Sequence, residues 1–217
     1  MTSFLETCAN GQTWEVIDPR FVYLAIVLAA LGGWIYIRDT LRGETSPNRV
    51  TWSLWGLEGV LAFGVEVQQH VGLASWMTLM LGLVPFAVVA ASFRNSHAVW
   101  KIGMFDIVCG SISVAGLVFW AFVNEPTIAL VSFVCADQAA GLPTLRKSWL
   151  APSTESARTF MLGCLNCVIT ILTLKVWTTA GVLFPGCIVV TDFVMSALIL
   201  TRIGPRFRGE LTPASSR

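Results

Sequence analysis

Long apolar segments separated by short polar ones occupy most of the chain. The first runs without a charge from Phe21 to Ile37 and ends at Arg38. A helix needs about 20 mostly apolar residues to cross the hydrocarbon core of a bilayer. The apolar stretch 159–201 is roughly twice that length, so it predicts two helices that turn near Gly181. Five more membrane helices are predicted before it, over residues 21–37, 50–67, 71–93, 98–123 and 126–145.

The composition agrees with seven membrane helices. Hydrophobic residues make up 55% of the 217 and charged residues only 12%, against roughly a quarter in an average soluble domain. A mean hydropathy of +0.71 excludes a disordered chain, and a net charge of +1 gives no reason to expect nucleic acid as a partner. Residues 1–20 hold acids where a signal peptide needs a basic and an apolar segment, so no cleavable signal is expected. The expected fold class is all-α, a multi-pass protein whose main partner is the lipid bilayer.

The basic residues are distributed unevenly between the two sides that this topology defines. Twelve of the 14 Lys and Arg follow helices 1, 3, 5 and 7, including Arg146, Lys147 and Arg158 in the loop after helix 5. Positive charge collects in the cytoplasmic loops of membrane proteins. The asymmetry predicts a cell (inner) membrane protein with its N-terminus outside and its C-terminus in the cytoplasm.

The chain contains a weak internal repeat at an offset of 108 residues. Without a gap, this offset aligns helices 1 to 3 with helices 5 to 7 and leaves helix 4 as a linker. One linker helix lets the second triplet enter the membrane in the same orientation as the first. This predicts a parallel 3+1+3 repeat, with a substrate site at the interface of the two repeats. The aligned pairs include Gly33 with Gly141, Arg38 with Arg146, Ser46 with Thr154, Thr51 with Thr159 and Trp52 with Phe160. The predicted units are an extracytoplasmic segment 1–20, a first bundle 21–93, a linker helix 98–123, a second bundle 126–203 and a cytoplasmic tail 204–217.

Two loop regions carry a family resemblance. Residues 143–156, PTLRKSWLAPSTES, resemble the PQ-loop motif of the SWEET and MtN3 sugar-transporter superfamily, in which a helix-breaking proline precedes a basic, Ser-rich loop. Residues 39–55, DTLRGETSPNRVTWSLW, instead resemble a set of uncharacterised bacterial membrane proteins. Thr144 replaces the glutamine of the motif, and helix 1 has Ile35 where its proline would stand. The resemblance implies a seven-helix transporter with Pro143 as a hinge.

Five acidic residues lie inside predicted membrane helices, and four of them, Glu58, Asp106, Asp137 and Asp192, are candidates for a functional role. An ionised Asp at the bilayer centre costs at least ~2.5 kcal/mol, so each acid must face a cavity or a partner. Asp106 follows closely after Lys101 and is expected to pair with it. Asp137 lies deep in helix 5 and is a proton-coupling candidate. The alternative for all four acids is a structural hydrogen bond to Ser, Thr or Gln between helices.

The predicted substrate-binding residues are Trp55, Glu58, Asn166 and Asp192. The repeat relates Glu58 to Asn166, so a two-fold axis that carries one of them to a central cavity carries the other there too. Trp55 shares a helix face with Glu58, and Asp192 lies about 15 Å before Arg202, close to the membrane midplane. Acids without a nearby base repel anions, and an aromatic face stacks on a sugar ring or holds a cation. The site is therefore expected to accept an uncharged or cationic polar solute.

The sequence contains no motif for catalysis, for a metal or for a cofactor. His70 and His97 lie at opposite ends of helix 3, too far apart to share a metal. No Lys follows Lys175, which excludes a retinal protein with its Lys in the last helix. Enzyme activity is not expected. The leading hypothesis is a small-solute transporter; the alternative is a non-transporting receptor or assembly subunit on the same scaffold, and homo-oligomer formation is left open.

Overall fold

A computed structural model describes residues 16–68, 74–95, 100–174 and 177–210, which form helices joined by short connections without a β-strand. The predicted all-α class is confirmed for this part of the chain. The N-terminal residues 1–15, the two histidines, Lys175 and residues 211–217 lie outside the described ranges. The helices are α1 Val22–Arg42, α2 Arg49–Gln68, α3 Ala74–Arg94, α4 Met104–Phe122, α5 Pro126–Leu150, α6 Ala157–Leu172, α7 Thr179–Thr201 and the short α8 Ile203–Phe207, with 3₁₀ turns at Pro19–Phe21 and Pro152–Thr154.

Four of the described helices are long and apolar enough to cross a membrane, judged by length and composition. They are α1 with its preceding turn, α4, most of α5 and most of α7. Shorter apolar helices cover Thr78–Arg94 and Ala157–Leu172, and α2 contains Glu58 and Glu66, which lower its hydropathy. These apolar helices are typical of a membrane protein. That all seven long helices cross the bilayer stays a prediction.

Two helices are longer than their apolar segments. Helix α1 continues past Ile37 to Arg42, and α5 continues past Leu145 to Leu150 with Pro143 inside it. The predicted ends at Ile37 and Leu145 are therefore wrong. The physical reason is that hydropathy marks the part of a helix suited to hydrocarbon, whereas the backbone hydrogen bonds continue through the more polar ends.

The last two helices do not turn at Gly181. Helix α6 ends at Leu172, and Gly181 already lies in the first turn of α7. Thr178 caps that turn, since its Oγ1 accepts a hydrogen bond from the Gly181 amide at 3.0 Å. A hydroxyl at the N-cap satisfies a helix amide that has no partner within the helix. The start of α7 is therefore set by Thr178 and not by Gly181.

The turn between α4 and α5 lies at Asn124 to Pro126, as predicted. Glu125 caps α5, because its Oε2 accepts a hydrogen bond from the Ile128 amide at 2.7 Å. Hydrogen bonds from backbone amides, that of Ile128 first, hold the pKa of the Glu125 carboxyl below its usual value. Pro126 suits the first position of a helix because an amide there would have no partner within the helix.

The two halves of the chain pack in the same way. In the first half α3 packs against both α1 and α2, and in the second half α7 packs against both α5 and α6. Between the halves, α1 packs against α6 and α2 packs against α5. If the halves are exchanged, so that α1 and α5 change places and α2 and α6 change places, the contact of α1 with α6 becomes the contact of α5 with α2. A two-fold relation requires this. Helix α4 packs against α5 and α2.

The loops after α1 and α5 meet at one end of the bundle. The Ser46 amide donates to the Thr154 carbonyl at 3.0 Å, and these residues are partners at the 108-residue offset. Close by, Thr159 at the start of α6 donates through Oγ1 to the Gly32 carbonyl of α1 at 3.1 Å. A residue touches its own symmetry equivalent only near the symmetry axis, so Ser46 and Thr154 lie where a two-fold axis between the halves would pass.

A buried ion pair lies at this end of the bundle. Lys147 Nζ is 2.8 Å from Glu155 Oε1, and both side chains are 0% exposed. The Lys147 ammonium also donates to the carbonyls of Ser46 and Thr154, and the Tyr36 hydroxyl donates to Glu155 Oε2 at 2.7 Å. The prediction of Lys147 as a loop charge is wrong, because the lengthened α5 carries it inside the bundle, where Glu155 supplies a counter-charge.

Asp106 does not pair with Lys101, which is exposed. Its Oδ1 accepts a hydrogen bond from Asn48 Nδ2 at 2.9 Å, and its Oδ2 accepts from the Gly103 amide at 2.6 Å. Asp106 is 2% exposed. It therefore caps α4 and connects this helix to the loop before α2. Asp106 thus has a structural role, which was the alternative to a functional one for the acidic residues.

Candidate functional site

A cavity of about 140 Å³ lies between the two halves of the bundle. Its lining residues come from α1, α2 and α3 on one side and from α5, α6 and α7 on the other, and none of those in the described ranges comes from α4. At about 30 Å³ for each water in the liquid, a cavity of this size has room for about five waters. An apolar cavity of about this volume holds one benzene molecule, so this one suits a solute of about that size.

The lining residues fall largely into pairs that are 108 positions apart. A two-fold relation between the halves accounts for this pairing, since it carries any position on the cavity wall to an equivalent one on the opposite wall. The residues within most pairs differ, so the two walls have related shapes and different chemistry. The pairs are Ala29 with Asp137, Gly33 with Gly141, Trp52 with Phe160, Trp55 with Gly163, Glu58 with Asn166, Met80 with Ile188 and Val84 with Asp192.

The structure places all four predicted substrate-binding residues on this cavity. Trp55, Glu58, Asn166 and Asp192 line it together with Asp137, the proton-coupling candidate. Their roles in binding and coupling stay predictions. The predicted hinge, Pro143, lies buried within α5, one helical turn or less beyond Gly141, and is not part of the lining.

Glu58 and Asp137 form the centre of the polar part of the cavity. Glu58 is 1% exposed, and its Oε1 accepts a hydrogen bond from Ser113 Oγ of α4 at 3.0 Å. The Glu58 carboxyl also interacts with that of Asp137, through a hydrogen bond as well as through charge. The Trp55 indole donates to the Asp137 backbone carbonyl at 3.4 Å. Two carboxyl groups from α2 and α5 thus face each other across the interface between the halves.

Asn166 is buried in α6 and makes no hydrogen bond through its side chain. It is 1% exposed, and neither Oδ1 nor Nδ2 has a partner within the described residues. About nine in ten buried polar groups in proteins are hydrogen-bonded, and one that is left unpaired costs ~1–3 kcal/mol. Because Asn166 lines the cavity, a molecule bound there is positioned to satisfy both atoms.

Asp192 lies on the α7 wall, where a glycine makes room for it. A Cβ atom on Gly163 of α6 would collide with Asp192 Oδ2. The Asp192 carboxyl is close enough to Asp137 to interact electrostatically with it. Three carboxyl groups therefore share one cavity.

Two site residues were missed at the level of the sequence. Gln138 donates through Nε2 to Asp137 Oδ2 at 2.9 Å, and its Oε1 accepts from Thr191 Oγ1 at 2.5 Å. It thereby links the acid of α5 to α7 beside Asp192. The signal was available, since Gln138 is a polar residue next to Asp137 inside a predicted span. Ser113, the partner of Glu58, is one of two serines in the apolar α4, and no pattern distinguishes it from other small residues.

One end of the cavity is closed by aromatic side chains. The repeat partners Trp52 and Phe160 line the cavity and are 4% and 3% exposed. The Tyr36 ring packs against both, with centroid distances of 4.4 Å to Trp52 and 6.5 Å to Phe160. Since the Tyr36 hydroxyl donates to Glu155, the aromatic layer is continuous with the buried ion pair. We call these five residues, Tyr36, Trp52, Lys147, Glu155 and Phe160, the closed end.

The charges around the cavity are all of one sign. Its lining contains Glu58, Asp137 and Asp192 and, within the described ranges, no Lys, Arg or His. Among the residues that the structure describes, no three His, Cys, Asp or Glu side chains are grouped closely enough to hold a metal ion. The three carboxyl groups therefore lie apart on the cavity wall and do not converge on one point.

No family model, no curated protein and no solved structure matches this chain. The functional argument accordingly depends on the geometry of the cavity and on its chemistry.

Proposed function

We propose that this chain is a membrane transporter for a small polar solute, with seven spanning helices arranged as two parallel triplets and a linker in the manner of the SWEET proteins. The observation that carries the proposal is the cavity between the triplets. There the repeat partners Glu58 and Asn166 are both buried, and Asn166 keeps both of its polar side-chain atoms without a partner among the described residues. A solute site at the interface of two repeats is the arrangement known from transporters with parallel repeats.

The packing of the helices supports the parallel repeat. Each triplet has its third helix against the first and second, and the contacts between triplets exchange under a two-fold relation. The direct hydrogen bond between Ser46 and Thr154 puts the equivalent loops at the same end of the bundle, which is expected for parallel repeats and not for inverted ones. Asp137, as an acid beside Glu58 in the cavity, is the proposed proton-coupling group.

A non-transporting receptor or assembly subunit is the second candidate. The observation that favours it is the difference between the two halves at the proposed hinge. Helix α5 contains Pro143, whereas the equivalent position in α1 is Ile35. Proline is a common cause of helix kinks, and a transporter that moves two equivalent halves would use such a kink in each. A receptor needs the cavity and does not need the hinges.

The orientation is tested by labelling introduced cysteines with a membrane-impermeant maleimide. Ser153 and Asn124 are both exposed and lie in loops at opposite ends of α5. With the N-terminus outside, Ser153→Cys is expected to react only in inside-out vesicles and Asn124→Cys in intact cells. The unaltered chain gives the background from its own cysteines. Labelling of Ser153→Cys from outside intact cells contradicts the proposed topology.

Transport is tested in proteoliposomes offered labelled neutral sugars, amines and organic anions. We expect uptake of a neutral or cationic solute, and a loss of about tenfold or more in Glu58→Ala and in Asn166→Ala because each removes a hydrogen-bonding group that faces the solute. Cys164→Ala is the matched control, since it alters the same helix as Asn166 away from the cavity lining. Uptake of anions alone, or unchanged uptake in both site variants, excludes the proposed site. Solute binding without any uptake favours the receptor.

The coupling role of Asp137 is tested in the same vesicles. Asp137→Asn keeps the size of the side chain and removes the titrating group. We expect uptake by this variant to be independent of a pH gradient, with the folded protein recovered in normal amount. If the variant does not fold, Asp137 has a structural role; if it folds and keeps its pH dependence, another group carries the proton.

A further inference from the structure

We infer that the solute of this cavity is a small organic cation that carries a single ammonium group. The inference rests on the proposed function and narrows it, because the sequence alone leaves neutral and cationic solutes equally open. It starts from the three carboxyl groups that line the cavity, Glu58, Asp137 and Asp192, and from the lack of any basic side chain among its described lining residues.

The size of the cavity limits the charge of the solute. Glu58 of α2 and Asp137 of α5 face each other, and Asp192 of α7 lies on the same cavity. One positive charge placed there is near all three carboxyl groups. A second positive charge would repel the first within a cavity of about 140 Å³.

The remaining polar atoms fit the rest of such a solute. Asn166 offers an unpaired acceptor and an unpaired donor, which match a hydroxyl or an amide group. Gln138 and Thr191 are already bonded to each other, so they shape the wall and leave the acids to face the solute. The site thus combines a negative centre with one neutral polar position.

The aromatic side chains supply a second contact for a cation. Trp52, Trp55 and Phe184 line the same cavity as the acids, and the Trp52 and Trp55 rings meet edge to face at 5.6 Å. The face of an indole attracts an ammonium group, and it does so more strongly when the site is shielded from water. A bare metal ion gains nothing comparable here, since the acids do not converge on one point.

The experiment compares two probes that have the same shape and differ in charge. Choline carries a quaternary ammonium group, and 3,3-dimethyl-1-butanol has a neutral carbon in its place. We expect isothermal titration of the purified protein in lipid nanodiscs to show choline binding about tenfold or more tightly than the neutral alcohol. Asp192→Asn is expected to reduce this preference to less than about threefold, whereas Glu210→Gln, which alters an exposed acid away from the cavity, leaves it unchanged.

A charge-gain variant keeps the inference testable if Asp192→Asn does not fold. Asn166→Asp adds an acid to the wall that carries Asp192, and it is expected to strengthen choline binding without strengthening that of the alcohol. Equal binding of the two probes, or an unaltered preference in whichever variant folds, overturns the inference. Sugar uptake without choline uptake also overturns it while the proposed transport function stands. Choline binding that is selective but never followed by uptake leaves the ammonium site in place and removes the transport function.

Discussion

Replacement of Lys147 by Met is expected to lower the free energy of unfolding by about 3–5 kcal/mol, because it leaves the Glu155 carboxylate buried without its counter-charge. Met is close to Lys in length and shape, so the packing of the site is largely kept and the loss comes from the charge. The Tyr36 hydroxyl remains as a donor to Glu155, but a single neutral donor does not balance a buried charge. Chemical unfolding of the purified protein in detergent, followed by its helical circular dichroism, measures the change.

Two further variants separate the ion pair from general effects at this end of the bundle. Lys101→Met removes an exposed charge near the start of α4 and is expected to change stability by less than about 0.5 kcal/mol. The double variant Lys147→Met with Glu155→Gln removes both charges and keeps an acceptor for the Tyr36 hydroxyl, so it is expected to recover part of the loss. A single variant as stable as Lys101→Met, or a double variant no more stable than the single one, contradicts this account.

Gly59→Ala is expected to destabilise the protein by roughly 1–3 kcal/mol or more, because the added methyl group meets backbone and not a movable side chain. A Cβ atom on Gly59 of α2 would lie 2.5 Å from the Gly82 amide nitrogen of α3, and one on Gly82 would lie 2.7 Å from the Val60 nitrogen. Small residues let helices of a membrane protein approach this closely. The two helices must separate to admit the methyl group, and Gly59 also lines the cavity, so solute binding is expected to weaken as well.

Gly64→Ala is the matched control for Gly59→Ala. Gly64 lies in the same helix, and a Cβ atom there meets nothing within 4 Å. This variant is expected to be as stable as the unaltered chain or slightly more stable, since Ala is the better helix former. The melting temperatures of the two variants in detergent make the comparison. Equal melting temperatures show that α2 and α3 do not depend on the close contact between Gly59 and Gly82.

The sequence alone is sufficient to predict those features of the fold that follow a repeating pattern along the chain. Hydropathy predicts where each long helix lies, because a long apolar segment has few other stable structures. The 108-residue offset predicts that Glu58 and Asn166 belong together, and both line the cavity. Asp192 was placed by counting from Arg202 toward the midplane, and it lines the cavity as well. These inferences need only periodicity and distance along a helix.

The closed end shows what such reasoning misses. A Lys a few residues past an apolar segment is ordinarily a loop charge, and nothing near Lys147 in the sequence marks it as buried. Its counter-charge Glu155 comes from the segment after α5, and Glu155 in turn accepts a hydrogen bond from Tyr36 of α1, more than a hundred positions earlier. Contacts between polar groups that are distant in sequence follow no periodic pattern along the chain. They can therefore be identified only once the packing of the helices is known. The same holds for Asn48 with Asp106.

The pairs of unlike residues on the cavity walls have a consequence for the orientation of a bound molecule. Two identical halves would present every group twice, and a solute would fit equally well in either of two orientations related by the axis. Here the repeat partner of Glu58 is Asn166, that of Trp55 is the small Gly163, and that of Val84 is Asp192. A molecule bound between walls of different chemistry would therefore favour one of the two orientations. The differences between the halves thus give the site a direction that a symmetric site would lack.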